Sequence, residues 1–274
     1  MMAQLYAVYC FQAKGTVQWI AGMSRNTKGT SRRSRGLRSG STGRAGSAIP
    51  IDARLKRQFQ RRLLNWYREY GRDLPWRRTT DPYKILVSEV MLQQTQVDRV
   101  IPKYHEFLSR YPTVRDLAAA DPEEVRQTWY PLGYNIRPYR LHSIACETVA
   151  RYGGEIPREP EQLQSLKGIG RYTAGAVRSF AFNEDAPILD TNVMRVLHRV
   201  FIGHGDPRAF KGRLWQMSEA LIPKGKGYDF NQAIMDFGAM VCTARNPYCL
   251  LCPMREFCRA YPVSSSPVRR RDHE

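Results

Sequence analysis

The chain has 274 residues, 42% of them hydrophobic, and 43 Lys and Arg against 25 Asp and Glu give a net charge of +18. This length and apolar content can fill one large domain or two small lobes, which excludes wholesale disorder. No window approaches the ~18 apolar residues that a membrane-spanning helix needs, and the basic charge makes nucleic acid the first partner to consider.

Residues 1–48 hold Lys14, Lys28 and a run of arginines, with no Asp or Glu. Their Ser, Gly and Arg content fits a disordered basic arm, an organelle transit leader, or a stretch upstream of a true start at Met23. The ordered part begins near Ile51. Leu55, Phe59, Leu63, Trp66 and Tyr70 recur every three or four residues, which predicts one apolar face of a helix. The same periodicity predicts helices over 85–97, 100–109, 123–130, 138–152, 171–182, 190–202, 210–221 and 229–242. Tyr111-Pro112, Asp121-Pro122 and Gly153-Gly154 punctuate them. No alternating strand pair and no fixed repeat is present, so the expected fold class is all-α. The tail over 262–274 is Pro/Ser-rich, ends near Arg269-Arg270-Arg271, and reads as disordered.

Within the segment 88–97, Ser88-Glu89-Val90-Met91-Leu92-Gln93-Gln94-Thr95-Gln96-Val97, pattern alone makes Glu89 an exposed charge. Further on, Leu166-Lys167-Gly168-Ile169-Gly170 precedes an amphipathic run. Two glycines at a helix entry make either an ordinary helix–helix turn or a place where backbone N–H groups meet an anion. Asp190, before Thr191 and Asn192, is either a helix N-cap or a carboxylate that stabilises positive charge on a sugar. Near the end, Cys242, Cys249, Cys252 and Cys258 have the spacing C-x6-C-x2-C-x5-C. Four soft thiolate donors in one short window suit zinc or an iron–sulfur cluster in a reducing compartment. Only one Cys-x-x-Cys knuckle is present, where zinc ribbons pair two.

The cysteine spacing, the 166–170 turn, the Asp190 string and the 88–97 string together resemble the adenine DNA glycosylase (MutY) family of the helix-hairpin-helix, endonuclease III superfamily. The resemblance covers about residues 52–261. It implies two helical lobes with a DNA cleft between them: a six-helix lobe over 81–187 carrying the helix-hairpin-helix, and an iron–sulfur lobe made from 51–80 and 188–261. It implies a structural [4Fe–4S] cluster on the four cysteines, presenting Arg245 and Arg255 to phosphates. Lys167, Gly168 and Gly170 are then contacts to the DNA backbone.

The resemblance also assigns chemistry. Glu89 becomes the acid that protonates adenine, and Asp190 the carboxylate that stabilises the cationic sugar. Tyr172 stands where bifunctional relatives carry a Schiff-base lysine, so the enzyme is expected to be monofunctional. Arg72, Leu74, Trp76, Arg77 and Gln232 resemble base-pocket residues. Gln94 and Tyr134 resemble side chains that wedge into the base stack beside the partner base, and Thr95 is expected to contact DNA. Thr191 replaces a common Gly, and Asn135 replaces a second Tyr. The implied partner is double-stranded DNA with a mismatched or oxidised base pair, met by a monomer inside the cell. The chain ends soon after Cys258, so the C-terminal Nudix-like domain of long members is expected to be missing. Rival readings are a glycosylase for thymine or uracil opposite guanine, and a non-catalytic DNA-binding module.

Overall fold

The computed structural model describes residues 51–263, so the expectations for the basic leader and for the tail beyond 263 fall on residues outside it. Among the described residues every regular element is helical. The α-helices are α1 (Ala53–Tyr70), α2 (Pro82–Met91), α3 (Val97–Arg110), α4 (Val114–Ala119), α5 (Pro122–Trp129), α6 (Ile136–Tyr152), α7 (Pro160–Ser165), α8 (Arg171–Phe182), α9 (Thr191–Phe201), α10 (Lys211–Leu221) and α11 (Gly227–Met240). Short 3₁₀ turns lie at Pro75–Arg77, Pro207–Phe210 and Arg255–Phe257.

Local chemistry sets the helix ends. Asp81 and Asp121 each precede a proline, and their carboxylates accept the first free N–H groups of α2 and α5. Proline at the first helical position has no N–H to leave unpaired. Thr113 and Asp116 form a reciprocal capping box on α4. Gly153 and Asn183 end α6 and α8 in the left-handed conformation that satisfies the last carbonyls.

Two departures from the periodicity have simple causes. α4 and α7 have six residues each, under two turns, so no apolar face repeats long enough to be seen. The helix expected over 85–97 ends at Met91, and Gln94 takes a φ of 54° before α3 begins at Val97. Apolar Leu92 and Val97 carry the pattern across the break. Tyr70, expected on the buried face of α1, is half exposed and lies against Trp66.

The helices pack in two sets. α2 through α8 contact one another, with α2 on α8 and α4 and α5 on α6. α1 and α9 lie on α11, and α10 on α9. The sets meet where α8 touches α11 and where α2 touches the Pro75–Arg77 turn. One continuous apolar core runs through both. In the second set Phe59 of α1 is fully buried, edge-on to Phe201 at 5.1 Å and to Phe230 at 6.2 Å. Burying such a ring stabilises the fold by about 1.5–3 kcal/mol.

Candidate active site and cysteine loop

Every residue of α2 from Ile85 to Met91 is buried. The helix has neighbours on most of its circumference, α8, α6, α3 and the 3₁₀ turn, so it has no polar face to offer. Glu89 is therefore carried inside, 4% exposed, where the residue pattern by itself suggested a surface charge. Burial disfavours the carboxylate and pushes its pKa up to about 7. The Tyr172 hydroxyl, hydrogen-bonded to it from the first turn of α8, pulls the other way. The Asp190 charge adds to the rise and Arg77 opposes it.

Asp190 is an N-cap and also faces this site. One carboxyl oxygen accepts from Val193 N at 2.7 Å, and the other from Asn192 Nδ2 at 3.1 Å. Burial still holds its pKa above the usual carboxylate value against those hydrogen bonds. The segment leading to it is pinned. Ser218 Oγ donates to Ile188 O at 2.7 Å, and Asp185 accepts from Gly225 N and Gly227 N. At Gly175 of α8 a Cβ would lie 2.2 Å from Pro187 O, so only glycine lets the helix approach this strand of chain.

The residues expected around the base are distributed unevenly. Leu74 and Trp76 are buried, Trp76 edge-on to Tyr104 at 5.5 Å, and Gln232 of α11 is buried. Arg72 and Arg77 both grip Asp236, a fully buried carboxylate that the sequence reading missed. Arg72 donates through its backbone N–H, Nε and Nη2, at 2.9, 2.8 and 2.6 Å. Arg77 donates through Nη1 and Nη2 at 2.7 and 2.8 Å, and these partners hold the Asp236 pKa down despite its burial. An acid one turn after Gln232 on the apolar face of α11 was the available signal. A surface cleft of about 690 Å³ lies on the outer side of this cluster, between Tyr67, Arg72, Asp73, Arg77 and Tyr228, and Glu89 does not line it.

In the 166–170 turn Leu166 and Ile169 are buried while Lys167, Gly168 and Gly170 are exposed. Gly168 has a φ of +117°, open to glycine and strained for other residues. No side chain caps α8, so the N-terminal amides of this twelve-residue helix face outward without a side-chain acceptor. Gln94 and Tyr134 are exposed and have positive φ, 54° and 49°. Thr95 Oγ1 is occupied by Arg137 Nη2 at 3.0 Å. Arg137 was also missed, because one arginine at the start of a helix carries no signal of burial.

Cys242, Cys249, Cys252 and Cys258 all carry unbridged thiols. Cys252 is pushed up to about 11 by burial, and the other three sulfurs are close enough to add to the rise. Arg199 Nη1 donates to Cys242 Sγ at 3.5 Å, and Met254 N to Cys252 Sγ at 3.4 Å. Among the described residues no three His, Cys, Asp or Glu side chains converge as around a single metal ion. Four unbridged thiols in one short loop, two of them receiving N–H donors, supply the soft donor set that an iron–sulfur cluster takes. Arg245 is exposed, and Arg255 donates to Leu250 O at 3.3 Å.

A helical fold, a hairpin turn, a four-cysteine loop, the buried Glu89 and the half-buried Asp190 together point to the class of helix-hairpin-helix DNA-repair proteins. The family model described as HhH-GPD superfamily base excision DNA repair protein matches residues 87–219, and the one described as the iron–sulfur binding domain of endonuclease III matches 242–258. The adenine DNA glycosylase of Rattus norvegicus is 45% identical over 214 residues, 74% of this chain and 42% of that protein. The thymine-DNA glycosylase of Aeropyrum pernix is 40% identical over 215 residues, 74% of this chain and 94% of that protein. The solved structure of a thermostable thymine-DNA glycosylase aligns with a TM-score of 0.71 at 33% identity, over 76% of this chain and 97% of that one. The chain belongs to the HhH-GPD superfamily of base excision DNA repair proteins, and its cysteine loop holds a [4Fe–4S] cluster. It spans about two fifths of the length of the mammalian relatives it matches. No helix among the described residues is long and apolar enough to cross a membrane.

Proposed function

We propose that the chain is a monofunctional DNA glycosylase that removes adenine mispaired with 8-oxoguanine or guanine. The observation that carries this reading is the buried Glu89 carboxyl, whose pKa of about 7 keeps a proton available near neutrality. Adenine leaves poorly until a ring nitrogen is protonated. With the base flipped out of the stack, Glu89 gives its proton to the ring. The C1′–N bond then breaks, and the electron pair departs with adenine. Asp190 faces the positive charge left on the sugar. Water adds to C1′, and its proton restores Glu89. The [4Fe–4S] cluster contributes no step; it holds the loop that offers Arg245 and Arg255 to DNA.

Lys167, Gly168, Gly170 and the uncapped start of α8 are assigned to the DNA backbone. Gln94 and Tyr134 are assigned to the base stack, Thr95 to a DNA contact beside them, and Leu74, Trp76, Arg77 and Gln232 to the walls of the base site, with Arg72 behind them on Asp236. Tyr172 offers no amine, so no Schiff base forms and the product is an abasic site. Action on DNA and a thiolate-bound cluster support a reducing compartment that contains DNA. The two lobes would be 51–80 with 188–261, and 81–187.

The second reading, thymine opposite guanine, is favoured by the similarity to thymine glycosylases over nearly their whole length. One experiment separates the two. Duplexes carrying each mismatch are incubated with the purified protein and heated in alkali. Cleavage at adenine opposite 8-oxoguanine and guanine supports the proposal. Cleavage at thymine opposite guanine, with adenine untouched, would overturn it.

A further inference from the structure

Arg137, on the first turn of α6, is 3% exposed and has no carboxylate partner among the described residues. A buried guanidinium without a counter-ion is costly unless its donors are satisfied. Here the two terminal nitrogens reach six oxygens, on the last turn of α2, the loop after it and the loop before α6, and Nε is left without a partner. Nη1 donates to Val90 O at 3.1 Å, Met91 O at 2.8 Å and Gln93 O at 2.6 Å. Nη2 donates to Thr95 Oγ1 at 3.0 Å, Leu132 O at 3.0 Å and Gly133 O at 3.1 Å. Nη1 thus collects the C-terminal carbonyls of α2, where the helix dipole favours a cation. Nη2 joins the loop after α2 to the loop before α6. Its Cζ lies 5.4 Å from the Trp129 ring centroid and 5.3 Å from the Tyr134 ring centroid.

Each loop carries a non-glycine residue at positive φ, Gln94 on one and Tyr134 on the other. Such conformations persist only where the surroundings over-determine them. Among the described residues Arg137 is the one side chain hydrogen-bonded to both loops, while Arg99 of α3 holds the second at Pro131 O. We propose that Arg137 is a positioning residue that locks the Gln94 loop and the Tyr134 loop into a single rigid wedge, so that DNA engagement depends on a side chain buried away from the DNA. This rests on the assignment of Gln94 and Tyr134 to the base stack.

Lysine is the informative replacement. Its single ammonium can keep the α2 carbonyls but cannot span to Leu132 and Gly133 as the planar fork does. Hydrogen exchange on the DNA-free full chain reads this directly. Thr95 N–H is bonded to Leu92 O, and Leu132 N–H to Trp129 O. In Arg137→Lys the Leu132 amide should exchange about tenfold faster or more, with Thr95 less affected and the amides of α8 and α11 unchanged. In Arg137→Gln both loop amides should accelerate. Duplexes with a tetrahydrofuran abasic analogue opposite guanine give the second readout. Arg137→Lys should lose about tenfold of its preference for that duplex over a paired one. Its saturating excision rate on an adenine mismatch, and the pH midpoint of that rate, should stay within about threefold and within the scatter of wild type respectively.

Adding Tyr134→Ala to Arg137→Lys should cost little further preference, because both act through the same wedge. Unchanged loop exchange in Arg137→Lys overturns the proposal. So does fully additive loss in the double variant, or a fall in saturating rate with preference intact. If wild type excised no adenine, the reading of activity would fail while the exchange experiment still tested the clamp.

Discussion

The Tyr172 hydroxyl donates a hydrogen bond to the buried Glu89 carboxyl, so one residue on the hairpin helix tunes the acidity of the other on α2. The bond favours the ionised carboxylate, while burial favours the neutral acid, and burial is the larger of the two.

Removing the hydrogen bond should raise the Glu89 pKa above about 7. If the protonated carboxyl is the reactive form, excision by wild type is highest below about pH 7 and falls as pH rises through it. In Tyr172→Phe that fall should move to higher pH. Single-turnover excision rates measured from pH 5 to pH 9 check this. A midpoint unmoved or shifted to lower pH contradicts the coupling. Borohydride should trap no covalent adduct with wild type, since Tyr172 supplies no amine.

Glu89→Gln should bind mismatched duplex as wild type does and lose excision by about 10²–10⁴-fold, because the amide keeps the shape and cannot deliver the proton. The same substitution has a stability consequence. A carboxyl whose folded pKa is raised from 4.5 to about 7 contributes stability fully present below the unfolded value and lost as pH rises through the folded one. The Tm of Glu89→Gln relative to wild type should therefore be higher at pH 8 than at pH 5. Equal differences at both pH values would place Glu89 in solvent.

Asp236→Ala leaves the buried Arg77 guanidinium without its carboxylate and should destabilise the fold by about 3–5 kcal/mol. Denaturant titration at pH 7 measures this, and a loss below about 1 kcal/mol would mean that Arg72 and Arg77 find other partners. Asp236→Asn, which keeps the shape and one acceptor, should cost less.

Purified wild type should be brown, with broad absorbance in the visible and about four irons per chain. Cys249→Ser should lower iron content and visible absorbance, weaken DNA binding and cost solubility, because Met254 of the loop is buried in the core and Arg62 and Arg199 hold the loop backbone against α1 and α9. A colourless, zinc-loaded wild type that binds DNA normally would refute the cluster. Iron analysis and electrophoretic mobility shifts are the measurements.

Much of the helical architecture was legible in the chain. Long amphipathic runs such as α1, α6 and α9 announce themselves because a repeated face must be buried. Asp-Pro pairs mark helix starts because they supply an acceptor and omit a donor. The cysteine loop was legible because four soft ligands at short spacing have few other uses. Short helices such as α4 escaped, since six residues do not repeat a face.

The site itself divides differently. Residue types and spacing, with the family resemblance they carry, marked Glu89, Asp190, Tyr172 and the hairpin glycines as candidates, and the fold brings the first three near one another. Whether Glu89 is buried was not in its local pattern, because a helix enclosed by α3, α6 and α8 shows no polar face from which inside and outside could be told. The Asp236 cluster joins residues 72 and 77 to residue 236, and the Arg137 clamp joins two loops some forty residues apart in the chain. Sequence by itself determined where the long amphipathic helices form and which side chains are candidates for chemistry. Tertiary packing alone decided which charges lose their water, and hence which carboxyl keeps a proton and which arginine binds backbone instead of solvent, because desolvation depends on neighbours that are distant in sequence.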